Sequence, residues 1–258
     1  MLAEDLALAL DPPAFAEHAL GVRLDDWQHA ALCSTHPREL WCITRQGGKS
    51  TVAAALAIWT AVYRPSSLVL VVSPSLRQSA ETFRKCAELY RAADRPVSAS
   101  AETTLRLELE NRSRVISLPG SEATTRGFSA PHLILLDEAA RIDDDLMSSL
   151  TPMQATVSDG RLIALTTPAG KRGWFWQAWS SGGESWHRVE VRATDVPRIS
   201  PTFLELERAT MPAAQYRQEY LCSFEESDMA VFAADAVSAA IDPEAAPLEL
   251  AAFGRWTA

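Results

Sequence analysis

The sequence predicts a mostly parallel α/β sheet with helices on both faces and a small C-terminal subdomain. Residues 68–73 (LVLVVS), 133–136 and 162–165 are short, continuous apolar runs that end in polar residues, the pattern of strands buried on both faces. Helical stretches, alanine-rich over residues 49–63 and mixed over 75–93, follow two of the strands. That alternation gives right-handed crossovers and places ligands at the strands' C-terminal ends. Residues 39–44 (ELWCIT), a further strand, run into a glycine-containing loop that opens directly into the first of these helices.

The remaining elements follow in order. The first 30 residues read as short helices punctuated by Pro12-Pro13, with 27–32 as a helix fragment. Leu105, Leu107 and Leu109 alternate with charged residues, and Val115, Ile116 and Leu118 follow Asn111-Arg112, which predicts a half-exposed hairpin. After Trp186 come a strand over 187–191 and helices over 201–222. The expected organisation is therefore a core over residues 1–185 with its N-terminal helical segment, a small subdomain over 186–230, and a linker or the start of a further domain over 231–258.

At 258 residues and 47% hydrophobic content, the chain can bury one large core with a small appendage. Glu4 and Asp5 stand where a secretory signal would be basic, and the longest nearly apolar stretch, 52–63, is too short for a bilayer. Four scattered cysteines, with no C-x-x-C pair, suggest reduced thiols in a cytosol. A net charge of −9 argues against tight autonomous binding to nucleic acid, whose affinity comes mainly from neutralised phosphates. It leaves room for transient contact through a local basic patch.

The chemistry concentrates in two places. The segment Thr44-Arg45-Gln46-Gly47-Gly48-Lys49-Ser50-Thr51 lies between a strand and a helix. A triphosphate needs converging backbone N–H groups, a helix N-terminus and a fixed cation, and this segment can supply all three. Gly47 and Gly48 allow close approach, Lys49 can reach the β- and γ-phosphates, and the Ser50 hydroxyl can ligate Mg²⁺. The common pattern has a further glycine where Ile43 stands, and a lone G-K-S also suits a plain strand-to-helix turn. The second place is the 133–136 strand, which delivers Asp137 and Glu138 at its end. Asp137 is placed to hold Mg²⁺, and Glu138 to orient water and take its proton; taken alone, the pair also suits a helix N-cap. Both motifs on one parallel sheet point to ATP with Mg²⁺ as cofactors.

RQGGKST, LILLDEAA and LTTPAG, in this order, resemble the large subunit of tailed-phage terminases over residues 27–225. The resemblance implies a P-loop NTPase of the additional-strand type with a lid subdomain at 186–230, and a Mg-dependent ATPase that moves viral double-stranded DNA into a procapsid. In that family the loop reads R-Q-x-G-K-[ST], which accounts for the missing glycine. Gln28 falls where members place an adenine-recognising glutamine, though it also reads as a surface amide. Thr166, Thr167 and Pro168 are similar to the coupling motif, though Thr and Pro also simply end strands. Ser73-Pro74 with Gln78 resembles the segment after the second strand of helicase-like ATPases. Arg45 inside the loop, or Arg126 of an R-G segment offered in trans, can stabilise charge on the γ-phosphate; Arg126 also reads as a solvated loop arginine. Tyr216, Tyr220 and Phe224, at i, i+4 and i+8, read as one helix face of the lid. The resemblance further implies a portal protein, a small terminase subunit, a ring when active, and the host cytoplasm.

Full-length terminases continue into a nuclease domain with clustered acids. Asp235, Asp242, Glu244 and Glu249 sit in an Ala/Pro-rich segment without strand pattern, so no nuclease activity is expected of this chain. Two other readings stay open. One is a superfamily-2 helicase, which would need a second ATPase-like domain that is not recognisable here. The other is an ATP-binding module with negligible turnover on its own, an assembly component or prophage remnant.

Overall fold

The structure, a computed structural model, describes residues 2–120, 127–226 and 240. Strands β1 (Arg38–Ile43), β2 (Leu68–Ser73), β3 (Ala99–Glu102), β4 (Arg106–Leu109), β5 (Arg114–Pro119), β6 (Leu133–Asp137), β7 (Arg161–Thr166) and β8 (His187–Val191) form one sheet in the order β3-β4-β5-β2-β6-β7-β1-β8. Pairings from β5 through to β8 are parallel, while β3–β4 and β4–β5 are antiparallel. The β4–β5 hairpin forms where the alternating leucines predict it, with Arg112 at φ 69° in its turn.

Every residue of β2 and β6 is buried because helices cover both faces of the sheet. Alternate side chains point to opposite sides. Leu133, Leu135, Ile163 and Leu165 pack with Phe15, Phe83, Tyr90 and the helix Lys49–Tyr63. Ile134, Leu136, Leu162 and Ala164 pack with Leu146, Leu150, Trp174 and Phe175 on the other side. Ala53, Ala54, Ala55, Ala57 and Ala61 are all buried in the Lys49–Tyr63 helix. Small side chains all round let it lie close to both the sheet and the neighbouring helix Leu76–Ala92.

Several expectations need correction. His187–Val191 is not part of an appended subdomain; it pairs in parallel with β1, from Glu39↔His187 to Ile43↔Val191. A boundary at residue 186 therefore cuts the main sheet, and the described residues up to Glu225 form one compact unit. Edge strand β3 (ASAE) and the helices Asp144–Leu150 and Gly173–Ser181 carry too few residues or too little periodicity to be read from the sequence. Phe224 lies beyond the helix Ala213–Tyr220 and packs on Trp176, ring centroids 4.8 Å apart, so it does not share that helix's face. Arg126 lies outside the described residues, as does the 231–258 segment apart from Ala240. Among the described residues, no helix is long and apolar enough to cross a membrane.

Candidate active site

The loop after β1 is shaped by its two glycines for different reasons. A Cβ on Gly47 would lie 2.6 Å from Ile43 Cγ2, inside contact distance. Gly48 sits at φ +91°, and its Cβ would meet Gln28 Nε2 at 2.5 Å, so both conformation and space call for glycine there. Ile43, where the common pattern has glycine, is wholly buried in the core beneath the loop. Lys49, Ser50 and Thr51 form the first turn of the Lys49–Tyr63 helix, half-buried; Thr51 N donates to Gly48 O at 3.0 Å, so the N–H groups of Lys49 and Ser50 are the ones a helix start leaves to an outside acceptor.

Side chains from elsewhere hold this loop. Gln28 Nε2 and Arg198 Nη2 both donate to the Gly47 carbonyl, at 3.3 and 3.1 Å. Gln28 Oε1 accepts from Asp25 N at 2.9 Å, and Arg198 Nη1 lies 2.9 Å from Asp25 Oδ2. Gln28 is only 2% exposed, so in this structure both ends of its amide are engaged within the protein. At the start of the loop, Thr44 Oγ1 and Arg45 N both donate to Glu219 O at 3.0 Å. The Arg45 guanidinium is exposed and lies 3.7 Å from Glu219 Oε2. Gln46 is exposed and adopts φ 61°.

β6 delivers Asp137 and Glu138 to the same end of the sheet. Asp137 Oδ2 accepts from Thr82 Oγ1 at 2.7 Å and Oδ1 from Glu138 N at 3.1 Å. Glu138 has left-handed backbone, φ 54° and ψ 41°, a conformation costing about 1–3 kcal/mol that clusters at functional sites. Its carboxylate lies between two cations: Lys49 Nζ is 3.8 Å from Oε1, and Arg141 Nη1 is 2.5 Å from Oε2. Strand β7 separates β1 from β6 and pairs with both, Thr166 opposite Cys42 and Leu165 opposite Asp137. That is the additional strand of the expected fold. Thr166 Oγ1 accepts from Ala140 N at 3.4 Å and donates to Thr167 O at 2.7 Å, and Pro168 follows, buried. The structure thus brings Lys49 to Glu138 and flanks both with Thr166 and Thr167. Thr82, Arg141 and Arg198 were not anticipated from the sequence.

The family model described as "Terminase large subunit, T4likevirus-type, N-terminal" matches residues 42–238. The chain belongs to that terminase family. The terminase large subunits of Thermus virus P23-45 and Thermus phage G20c are 26% and 25% identical, each over 83% of this chain and 51% of their own length. The chain therefore spans about half the length of these curated relatives. The large-terminase ATPase domain of Thermus phage P74-26 superposes with a TM-score of 0.72 at 22% identity, covering 83% of this chain and 99% of that one. The HK97 large terminase gives 0.67 at 18%, over 83% of this chain and 55% of its own. Both place this terminase in the P-loop NTPase fold.

Burial shapes the thiols of this terminase near the site. Desolvation first, then the Asp137 charge, push the Cys86 thiol up to about 12. Cys42, one strand position before Ile43, is raised strongly by its hydrogen bond with Cys222 and by burial. Cys222 Sγ also contacts Cys42 O at 3.4 Å and Val191 O at 3.2 Å, pinning the segment after the Ala213–Tyr220 helix onto β1 and β8. Among the described residues, no three His, Cys, Asp or Glu side chains gather as a metal cage. A magnesium ion needs none, since it takes one or two protein oxygens and completes its shell with phosphates and water.

Proposed function

We propose that this terminase domain binds Mg·ATP on the loop 44–51 and hydrolyses it, and that the energy drives viral double-stranded DNA into a procapsid. The observation that carries the reading is the 3.8 Å approach of Lys49 Nζ to Glu138 Oε1. Motifs 89 positions apart in the chain meet there at the C-terminal ends of strands in the parallel part of one sheet. The donor set fits the ligand: a glycine cradle, a helix N-terminus, a lysine, a serine hydroxyl and a carboxylate.

When bound, Mg·ATP supplies the phosphoanhydride bond and the cation that offsets its charge. Gly48, Lys49 and Ser50 would bind the phosphates by backbone N–H, while Gly47 N donates to Thr44 O at 3.2 Å and closes the loop; the Lys49 ammonium would serve the β- and γ-oxygens. Ser50 Oγ and Asp137 would hold the ion, the latter directly or through water. Glu138, left without Lys49, takes the attacking water's proton. Arg45, exposed beside the loop, is the cis candidate for charge on the γ-phosphate, and Arg126 the trans candidate, which would make a ring the active form. Thr166, Thr167 and Pro168, at the end of the strand between the two motif strands, are the proposed coupling residues between phosphate state and DNA movement. With β8 counted in the main sheet, the helices Pro201–Thr210 and Ala213–Tyr220 are the remaining lid candidates, and Glu219 contacts Thr44 and Arg45 from there. Portal protein and small terminase subunit are the proposed partners, with DNA contacts transient in keeping with the net charge.

Turnover tests this. Lys49→Ala should abolish binding of a fluorescent ATP analogue, and Glu138→Gln should keep the nucleotide while stopping phosphate release. Normal hydrolysis by Glu138→Gln would remove the assigned base. Binding without turnover, with or without portal and DNA, would leave an inert nucleotide module.

A further inference from the structure

The two cations on Glu138 are not equivalent. Arg141 closes the turn Ala139–Arg141, and its backbone N donates to Glu138 O at 2.9 Å while its guanidinium holds Oε2 at 2.5 Å. The same turn is fixed from behind by the buried Ala139 and by the Ala140–Thr166 contact at 3.4 Å. Arg141 is thus tied to the residue it pairs with through both backbone and side chain. Lys49 makes a longer contact to the other oxygen, at 3.8 Å from across the sheet edge.

We infer that Arg141 is a positioning residue for the proposed hydrolysis: it anchors Glu138 by Oε2 so that Oε1 faces the phosphate loop as the proton acceptor. The inference rests on the ATPase reading. In the step it serves, the water oxygen bonds to the γ-phosphorus as its proton passes to Oε1. The electron pair of the breaking P–O bond leaves on ADP. A carboxylate free at both oxygens would sample several rotamers, and small displacements of a reacting group are costly. As a plain surface ion pair, by contrast, Arg141, whose side chain is 44% exposed, would matter little to stability and not at all to rate.

The test is steady-state ATPase kinetics on the full chain, with and without double-stranded DNA. Arg141→Ala should lower kcat on the order of 10- to 100-fold and leave KM within about twofold. Arg141→Lys should recover part of the rate, since it keeps the charge without the planar fork. Arg141→Ala added to Glu138→Gln should slow the enzyme no further, because the two act as a unit. Unchanged melting temperatures would exclude a folding defect, and partial rescue by Arg141→Lys covers the case where the alanine variant is unstable. Wild-type turnover with an unaltered kcat in Arg141→Ala, or a change confined to KM, overturns the role of Arg141 alone. Absence of wild-type turnover, with Lys49-dependent binding retained, overturns the hydrolysis reading and this inference with it.

Discussion

The Thr82 hydroxyl donates a 2.7 Å hydrogen bond to Asp137 Oδ2 across 55 sequence positions. Both residues are buried, Thr82 on the helix that follows β2 and Asp137 at the end of β6. With Glu138 N on the other oxygen, both carboxylate oxygens of Asp137 accept a hydrogen bond within the protein, which fixes the carboxylate plane. Thr82→Val keeps the shape and removes the donor, leaving a buried carboxylate oxygen short of a partner. That should cost about 1–3 kcal/mol in urea denaturation and raise the Mg²⁺ concentration needed for half-maximal binding of an ATP analogue. Thr82→Ser should restore both. A valine variant with the wild-type Mg²⁺ dependence would mean that Glu138 N alone suffices to orient Asp137.

Gln28 offers a sharper contrast between two roles. Its amide caps the helix at Asp25 and braces Gly47, whereas the family resemblance makes it an adenine reader. Loop support predicts that Gln28→Ala weakens ADP and GDP binding in proportion, with Arg198→Ala behaving similarly because it holds the same carbonyl. Isothermal titration with the two nucleotides decides. A variant that loses ADP affinity while its preference over GDP collapses would return Gln28 to base recognition.

What the sequence disclosed and what it hid divide along physical lines. β2 and β6 were legible because strands covered on both faces have no polar face to confuse the pattern. That Lys49 and Glu138 would converge was legible because a glycine loop opening a helix and a carboxylate ending an apolar strand lie at the same end of a parallel sheet. β8 was misplaced because HRVEV alternates charged and apolar residues, the signature of a half-exposed edge that carries no information about which strand it joins. Thr82 and Arg198 act over 55 and 151 positions, and no local pattern encodes such contacts. Gln28 and Arg141 did leave signals. Asp25-x-x-Gln28 is a capping-box spacing, and Arg141, three residues after Glu138, lies within reach of it in a tight turn.

Glu39 shows the same limit at the other end of β1, where it reads from sequence as the edge of an apolar strand. It is wholly buried, paired with Arg161 Nη2 at 2.6 Å and accepting from Trp41 Nε1 at 3.1 Å. Glu39→Ala strands a largely buried guanidinium, and breaking such a pair costs roughly 3–5 kcal/mol. Because this lies at the N-terminal edge of the sheet, away from the loop, thermal denaturation should register the loss while nucleotide affinity, measured below the transition, stays unchanged. Equal stability in the variant would show that water reaches Arg161 and replaces the carboxylate.

Thiol chemistry provides the last check, with its pH dependence set by burial. Cys33 is exposed, whereas Cys42, Cys86 and Cys222 are buried. The reactive species is the thiolate. A pKa raised above the ordinary value shifts the proportion of thiolate down at any given pH, and Cys86, at about 12, has almost none at pH 8. Cys42 is shifted in the same direction by Cys222 and by burial. A maleimide added to native protein at pH 7 should therefore label Cys33 alone. Raising the pH to 8.5 should leave the other three protected until urea unfolds the chain, when all four react. The raised Cys86 pKa contributes stability that is present below the unfolded thiol value near 9 and fades as pH climbs toward 12, so protection of Cys86 should weaken in strong base. Rapid native labelling of Cys222 near neutral pH would show that the segment after the Ala213–Tyr220 helix lifts from β1 and β8. The backbone contacts from Glu219 to Thr44 and Arg45 would then break with it, and the phosphate loop would lose the brace that this structure gives it.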